Sequence, residues 1–533
     1  MHVPDQAFTG PGQAVAIAGA ALRFPGASDP ASFHDLTAAG RRMFRELAAV
    51  ADDRLPSGGV PRGAPAGRRA TLAALLDDGV PAFGRDDELT GGITARHILA
   101  AETAAAALAD VPSLGRAMSR GRVGVFFADI PEPGTADVAG WVRRQLQAGA
   151  GGDGGPAPAR NRKPADGPTG LRAARTSLQD LVIGAIDVAT ASHGLAPLHG
   201  APVNGAPMNG VPVNGAAFDG AGVSGAPVNG AVVNGTAYGT PAHGAGANGS
   251  SSSHGEPSGD QHCSLRAVAA ACEALNSGEF DLVLAGGVAK GVGGWARGRG
   301  SSARAARQVR VYDASPTGTL PGEGCGVVVL MRAADARAAG VPGYAEIAGW
   351  HYAGPGASQQ AVLPEAYLRA GIDPADIQLV EGHGAATAAD DLAELSALLE
   401  VLGSRGGGAG RCALGSVSAN IGDTRAAAGI AALLKAAFAM TADTIPPSTG
   451  CVQPNRLLRG ARAPFRLPSA AEEWPQTPVQ LAAVNTLGTA AYPDAPRSGP
   501  VHVVLRRERD PAHRPGRRRK PASLSGTAGG GTV

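Results

Sequence analysis

The segment VEGHGAAT sets one histidine, His383, in a glycine-rich turn between an apolar strand pattern and a helical one. Turns of this kind project side chains into the cleft at the carboxyl end of a strand, where an imidazole can move a proton or face developing negative charge. Thr387, Asp391 and Glu394 follow on the turn and the next helix, as supports of the loop or as caps of the helix. In SGDQHCSL, Cys263 is a nucleophile or a small buried hydrophobe. Cys272 falls on the apolar face of the next helix and reads as core, while Cys325, Cys412 and Cys451 show no partner in the sequence. With no CxxC pair, the five cysteines read as reduced thiols, which places the protein in the cytoplasm. The basic run Arg517 to Lys520 sits in a polar tail and reads as a solvated patch or a phosphate or partner contact.

The elements that must position these groups alternate along the chain. AVAIAG (Ala14 to Gly19) is a buried-strand pattern, followed by the loop ALRFPGASDP and a helix from Ala31; RVGVFFAD opens a second strand at Arg122. Leu265, Val268, Ala269, Cys272 and Leu275 recur at helical spacing up to a stop at Gly278, and the strands FDLVLAGGV and CGVVVL follow, separated by the loop DASPTGTLPGEG. The second half repeats this grammar: strand DIQLVE, loop GHGAAT, helix DDLAELSALLEVL, loop SVSANIGDT, helix AAAGIAALLKAAFAM, then LAAVNTLG and VHVVLRR. Alternation across two similar halves predicts an α/β architecture. Between Ala201 and Gly235 the pentads APVNG, APMNG, VPVNG and their variants reset the backbone into turns and offer little to bury, which predicts a disordered low-complexity insertion. The expected boundaries are 13–200 with 256–336 for the first half, 201–255 for the insertion, 343–507 for the second half and 508–533 for a disordered basic tail.

A formal net charge of +2 supplies no field for nucleic acid or an anionic membrane, and no stretch of about eighteen apolar residues predicts a membrane span. Apolar residues make up 44% of the chain but aromatics only 4%, so small side chains must pack helices and turns closely.

Taken together, AVAIAGAALRFPG, LNSGEFDLVLAGGV, VYDASPTGTLPGEGCGVVVL, VEGHGAATAADDLAEL and GSVSANIGDTRAAAGIAALLK resemble, in order, the motifs of the ketosynthase domains of modular polyketide synthases. The resemblance implies a thiolase-like layered αβαβα fold of two pseudo-repeated halves. It also implies a thiol at a helix N-terminus, two histidines and a lysine that take an acyl group from a carrier protein and condense it with a malonyl unit. No cofactor is implied beyond phosphopantetheine-linked acyl groups, expected on a separate acyl carrier protein. A homodimer, or a heterodimer with a ketosynthase homologue, is implied as well.

Aligned on the helix after Leu265, the family's nucleophile falls on Gln261, its second histidine on Asp423, its lysine on Ser418, and its gatekeeper phenylalanine on Leu487; His383 retains the first histidine. A glutamine amide forms no thioester, and an ionised Asp423 would repel a malonyl carboxylate or an enolate. The expectation is a condensation-deficient, non-elongating subunit that interacts with acyl carriers or with a partner ketosynthase. Two alternatives stay open: a loading-type malonyl-carrier decarboxylase using Gln261 and His383, and an acyltransferase using Cys263.

Overall fold

Nine residues of almost unbroken apolar character, Val15–Arg23, form β1, and all but the last are buried. A strand covered on both faces has no solvent side on which polar residues would alternate, so it reads as a continuous apolar run. The computed structural model describes residues 13–47, 71–76, 95–111, 122–128, 213–214, 263–290, 308–354, 356–403, 408–460, 463–487 and 499–509. Helix α1 (Pro30–Ala38) starts on a capping box: the Asp29 carboxylate accepts from the Ser32 amide at 2.9 Å while the Ser32 hydroxyl accepts from the Asp29 amide at 3.2 Å. The short strands β2 (Arg45–Leu47) and β3 (Thr71–Ala73) pair as an antiparallel ribbon. Then come α2 (Ala95–Ala109), β4 (Arg122–Ala128), β5 (Val213–Asn214), α3 (Ser264–Asn276), β6 (Leu282–Ala289), β7 (Gly324–Arg332) and α4 (Ala333–Ala338).

The second half opens with β8 (Glu346–Tyr352) and α5 (Gln359–Ala370). It continues through β9 (Leu379–Glu381), α6 (Ala388–Gly403), β10 (Cys412–Gly415), the single turn α7 (Ser418–Ile421) and α8 (Ala428–Thr441). β11 (Thr444–Ile445), β12 (Phe465–Arg466), β13 (Glu472–Glu473), β14 (Val479–Thr486) and β15 (Val501–Glu508) follow.

Hydrogen bonding runs continuously through eleven strands in the order β12-β10-β9-β14-β15-β8-β1-β7-β6-β4-β5. The two halves repeat one pairing scheme. β4 is parallel to β6, and β6 and β7 then β7 and β1 are antiparallel; likewise β9 is parallel to β14, and β14 and β15 then β15 and β8 are antiparallel. The halves join where Val15 and Ala16 meet Ile347 and Glu346. α3 lies on β4 and β6, α8 on β9 and β14, and the two helices pack on each other; α2 covers β1 and β7, and α5 covers β8 and β15. The layers therefore read α, β, α, β, α, as the family resemblance implied.

The central helices approach closely because glycine permits it. A Cβ on Gly429 would lie 2.6 Å from the Leu265 amide nitrogen, and in its absence the Ile430 amide donates to the Ser264 hydroxyl at 2.8 Å, tying the start of α8 to the start of α3.

One edge breaks the repeat. On the outer side of β9 lies β10, parallel to it and leading into α7 and α8, whereas on the outer side of β4 lies β5, which is antiparallel and comes from the pentad segment. Apart from Val213 and Asn214, the expected insertion lies outside the described residues, as does the tail from 510 onward. β4 and β6, on either side of the insertion, pair directly from Val123 with Leu282 to Ala128 with Gly287. Deleting 201–255 is accordingly expected to preserve a cooperative thermal transition, because it removes a two-residue edge strand and shortens a connection whose closure entropy varies only slowly with length. Loss of cooperativity in calorimetry would show that the pentads belong to the core.

Candidate active site

The carboxyl ends of β9, β10 and β14 converge with the amino end of α3. β9 ends at Glu381 and passes through Gly382 to His383. A Cβ on Gly382 would sit 2.0 Å from the Tyr312 hydroxyl, so only glycine allows that tyrosine to lie under the turn. The Gly382 amide donates to the Gly415 carbonyl at 2.9 Å, linking this turn to the end of β10.

Glu394, completely buried on α6, organises the turn. One carboxylate oxygen accepts from the His383 amide at 2.7 Å and the Asn485 side-chain amide at 2.7 Å; the other accepts from the Gly384 amide and the Tyr312 hydroxyl, each at 3.0 Å. Four donors compensate for taking this carboxylate out of water. Asp391, one turn earlier, accepts from the Tyr312 and Ala386 amides at 2.9 Å each. Burial, opposed by the Tyr312 amide and reinforced by the Glu394 charge, pushes its carboxyl up to about 7. Thr387 caps α6: its hydroxyl donates to Asp390 and accepts from the Asp390 amide. Both acidic residues thus hold the histidine turn, and Thr387 has the capping part.

Ser416 and Ser418 donate to the His383 carbonyl at 2.9 and 3.2 Å. With its amide and carbonyl both engaged, the His383 backbone is fixed, while its half-buried ring makes no hydrogen bond to a described residue. Asp423 is anchored beside the loop before β7: its amide donates to the Leu320 carbonyl at 2.8 Å, and its carboxylate accepts from the Arg425 amide at 2.8 Å. Neither Asp423 nor Cys263 hydrogen-bonds to His383. Tyr312, Ala386 and Arg425, all around this cleft, have positive φ of 54°, 54° and 48°, a conformation L residues adopt only where their surroundings impose it.

Cys263 is the N-cap residue of α3 and is buried at 4% exposure, with its sulfur 3.7 Å from the Thr486 hydroxyl. Burial pushes the thiol up; the Arg266 amide, the Thr486 hydroxyl, the Leu265 amide and the Arg266 charge oppose it. Gln261, the residue aligned with the family nucleophile, lies outside the described residues. Leu487 follows Thr486 at the end of β14 and is half-buried. Cys272, Cys325 and Cys412 are buried, Cys451 is half-buried, and none of the five cysteines forms a disulfide.

Several contributors were not singled out in the sequence. Asn485 joins Glu394 to His502, whose Nδ1 lies 3.1 Å from the Asn485 carbonyl oxygen. The Asn485 amide nitrogen is already donating, so its oxygen accepts and the neutral imidazole carries its proton on Nδ1; burial pulls the His502 pKa down to about 3. Below the turn, Lys435 of α8 places its ammonium 3.0 Å from both oxygens of Glu381 and hydrogen-bonds one of them, with both side chains almost wholly buried. A lone lysine in the apolar run AAAGIAALLKAAFAM was the available signal, because a buried ammonium requires a carboxylate. No group of three or more metal-ligating side chains occurs among the described residues, and no helix among them is long and apolar enough to cross a membrane.

Comparison with known proteins shows what this cleft is similar to. Residues 260–336 match the N-terminal domain model of beta-ketoacyl synthase, and residues 344–451 match the C-terminal domain model. The polyketide synthase GfsA of Streptomyces halstedii is 34% identical over 263 residues, or 47% of this chain and 3% of that protein. The mycocerosic acid synthase-like polyketide synthase of Mycolicibacterium smegmatis is 33% identical over 260 residues, or 45% of this chain and 12% of that protein, so the chain spans only a small part of these curated relatives. Among solved structures, the ketosynthase from module 6 of the bacillaene synthase of Bacillus subtilis 168 superimposes with a TM-score of 0.60 at 20% identity, covering 93% of this chain and 72% of that one. An oxazolomycin ketosynthase domain from Streptomyces albus JA3453 does so with a TM-score of 0.61 at 21% identity, covering 93% and 75%. The chain is therefore similar to beta-ketoacyl synthases over residues 260–336 and 344–451, and its fold is the thiolase-like fold of ketosynthases.

Proposed function

We propose that this ketosynthase-like protein does not condense acyl units but engages acyl carriers, or pairs with an active ketosynthase, as a non-elongating component of polyketide or fatty-acid assembly. The observation that carries this reading is the chemistry at the aligned positions: the position of the family lysine is Ser418, whose hydroxyl is committed to the His383 carbonyl, and the position of the second histidine is Asp423, whose carboxylate accepts from the Arg425 amide. Condensation develops negative charge on an enolate and an oxyanion, and neither residue supplies a cation for it. The lysine beneath the turn is neutralised by Glu381. Gln261, aligned with the nucleophile, has an amide that forms no thioester.

His383 keeps its ring free of described partners, which supports continued contact with a carrier-borne acyl group. The acyltransferase reading built on Cys263 is disfavoured by the thiol's burial and raised pKa, since the thiolate is the nucleophile. The test is intact-mass measurement of the full chain after incubation with acyl and malonyl carrier proteins. No mass gain and no release of carbon dioxide are expected. Carbon dioxide release would replace the proposal with a decarboxylase, and an acyl adduct on Cys263 with an acyltransferase.

A further inference from the structure

One carboxylate holds two residues of the cleft in the left-handed region. Tyr312 and Ala386 both have φ of 54°, and neither is glycine, so each conformation costs free energy that a specific contact must offset. That contact is Asp391, at 1% exposure: its Oδ2 accepts from the Tyr312 amide and its Oδ1 from the Ala386 amide, each at 2.9 Å. Each oxygen serves a different amide. A proton on either one turns that acceptor into a hydroxyl, and one of the two amides loses its charge-assisted bond.

The two amides do not depend on Asp391 equally. Tyr312 is tied elsewhere by its hydroxyl to Glu394 at 3.0 Å, and its carbonyl accepts from the Asn455 amide at 2.8 Å and the Cys451 thiol at 3.7 Å. Ala386, three residues after His383 in the same turn, has besides Asp391 the bond from the Gly318 amide to its carbonyl, at 2.7 Å. Losing the Asp391 bond therefore frees Ala386 first.

The charges that bear most on Asp391 are negative: Glu394 and Asp390, both on α6. With burial they place its carboxyl at about 7, so it gains and loses a proton near neutrality. Glu394 is surrounded by four donors and Asp391 by two. Of the groups that reach Asp391 from other elements, the Tyr312 phenol is pushed well up by burial and then by Glu394, and the Cys451 thiol to about 12 by burial and then by Asp313. Both stay protonated across this range. Glu381, beyond Glu394, is paired with Lys435.

We propose that Asp391 is a protonation-controlled positioning residue for His383: as a carboxylate it clamps the turn through Ala386 and Tyr312, and a proton on it releases Ala386 and loosens the turn. The clamp acts on the backbone and stands whether or not the cleft carries out chemistry.

The test is hydrogen-exchange mass spectrometry of the full chain between pH 6 and 8, corrected for the intrinsic pH dependence of amide exchange. Protection of residues 382–391 is expected to fall about tenfold from pH 8 to pH 6, with a midpoint near 7, while α8 stays unchanged. Asp391→Asn keeps one acceptor oxygen and does not titrate, so it should show the weaker protection at both pH values. The wild-type profile alone decides the matter should that variant fail to fold. Protection of 382–391 that is independent of pH in the wild type, a transition that persists in Asp391→Asn, or a parallel loss in α8 would overturn the clamp.

Discussion

Replacing Lys435 with methionine is expected to destabilise the protein by about 3–5 kcal/mol in chemical denaturation at neutral pH. The change strips the counter-charge from Glu381, which is completely buried at the end of β9, directly before the histidine turn. In the wild type, burial already raises the Glu381 carboxyl, and the Lys435 charge and its hydrogen bond oppose that shift. Without Lys435 the folded-state pKa rises further above the unfolded value of about 4.3. A carboxyl raised in the folded state contributes stability that is complete below its unfolded pKa and is lost as pH rises through its folded pKa. The deficit of Lys435→Met should therefore be smallest near pH 4 and grow toward neutrality. The double variant Glu381→Leu with Lys435→Met removes both charges together and should recover most of the loss. A single variant as stable as wild type at pH 7 would mean that water reaches this pair.

The second large effect concerns condensation. Gln261→Cys alone is expected to yield no β-ketoacyl product from acyl and malonyl carrier proteins, whereas Gln261→Cys with Asp423→His and Ser418→Lys is expected to yield a trace. A thiol at the position aligned with the family nucleophile supplies the atom that an acyl group needs for a thioester, which glutamine lacks. The malonyl half-reaction still faces Asp423, and replacing an oxyanion donor with a carboxylate costs more than the roughly hundredfold to thousandfold lost on deleting one donor. Groups that act as a unit recover little when one member is repaired. Mass spectrometry of the carrier-bound products reads the outcome directly. Robust turnover by the single variant would sink the assignment of Asp423 to the second histidine position.

What the sequence disclosed follows the reach of each interaction. β1, α3, β6, β7 and α8 were legible because each is a long run of one period, covered on all sides by other elements. β8 was not, since EIAGWHY mixes small, charged and aromatic residues, and it becomes a strand through pairing with β1 and β15. β9 is three residues long where six were expected: both end at Glu381, but a 3-10 turn over Pro374–Asp376, capped by Asp373, occupies the start, and the strand begins only at Leu379. At the site, His383, Asp391 and Glu394 share a short segment and could be read together. Tyr312 and Asn485 reach Glu394 across separations of 82 and 91 residues, and no local pattern announces such contacts. The antiparallel edge β5 was unreadable for a related reason: its two residues are one Val-Asn pair among several repeats, and only its partner β4 distinguishes it.

The placement of β1 bears on how the molecule is made. Val15 pairs with Arg332 on one side and Ile347 on the other, so this strand leaves the ribosome well ahead of partners that lie about 300 residues downstream. At elongation rates of about 5–20 residues per second that interval is roughly 15–60 s. Throughout it an apolar strand with two open edges trails from the nascent chain, a template for pairing with other chains. Expression yield should therefore depend on translation speed and on chaperone occupancy of the β1 segment, well before any property of the finished fold comes into play.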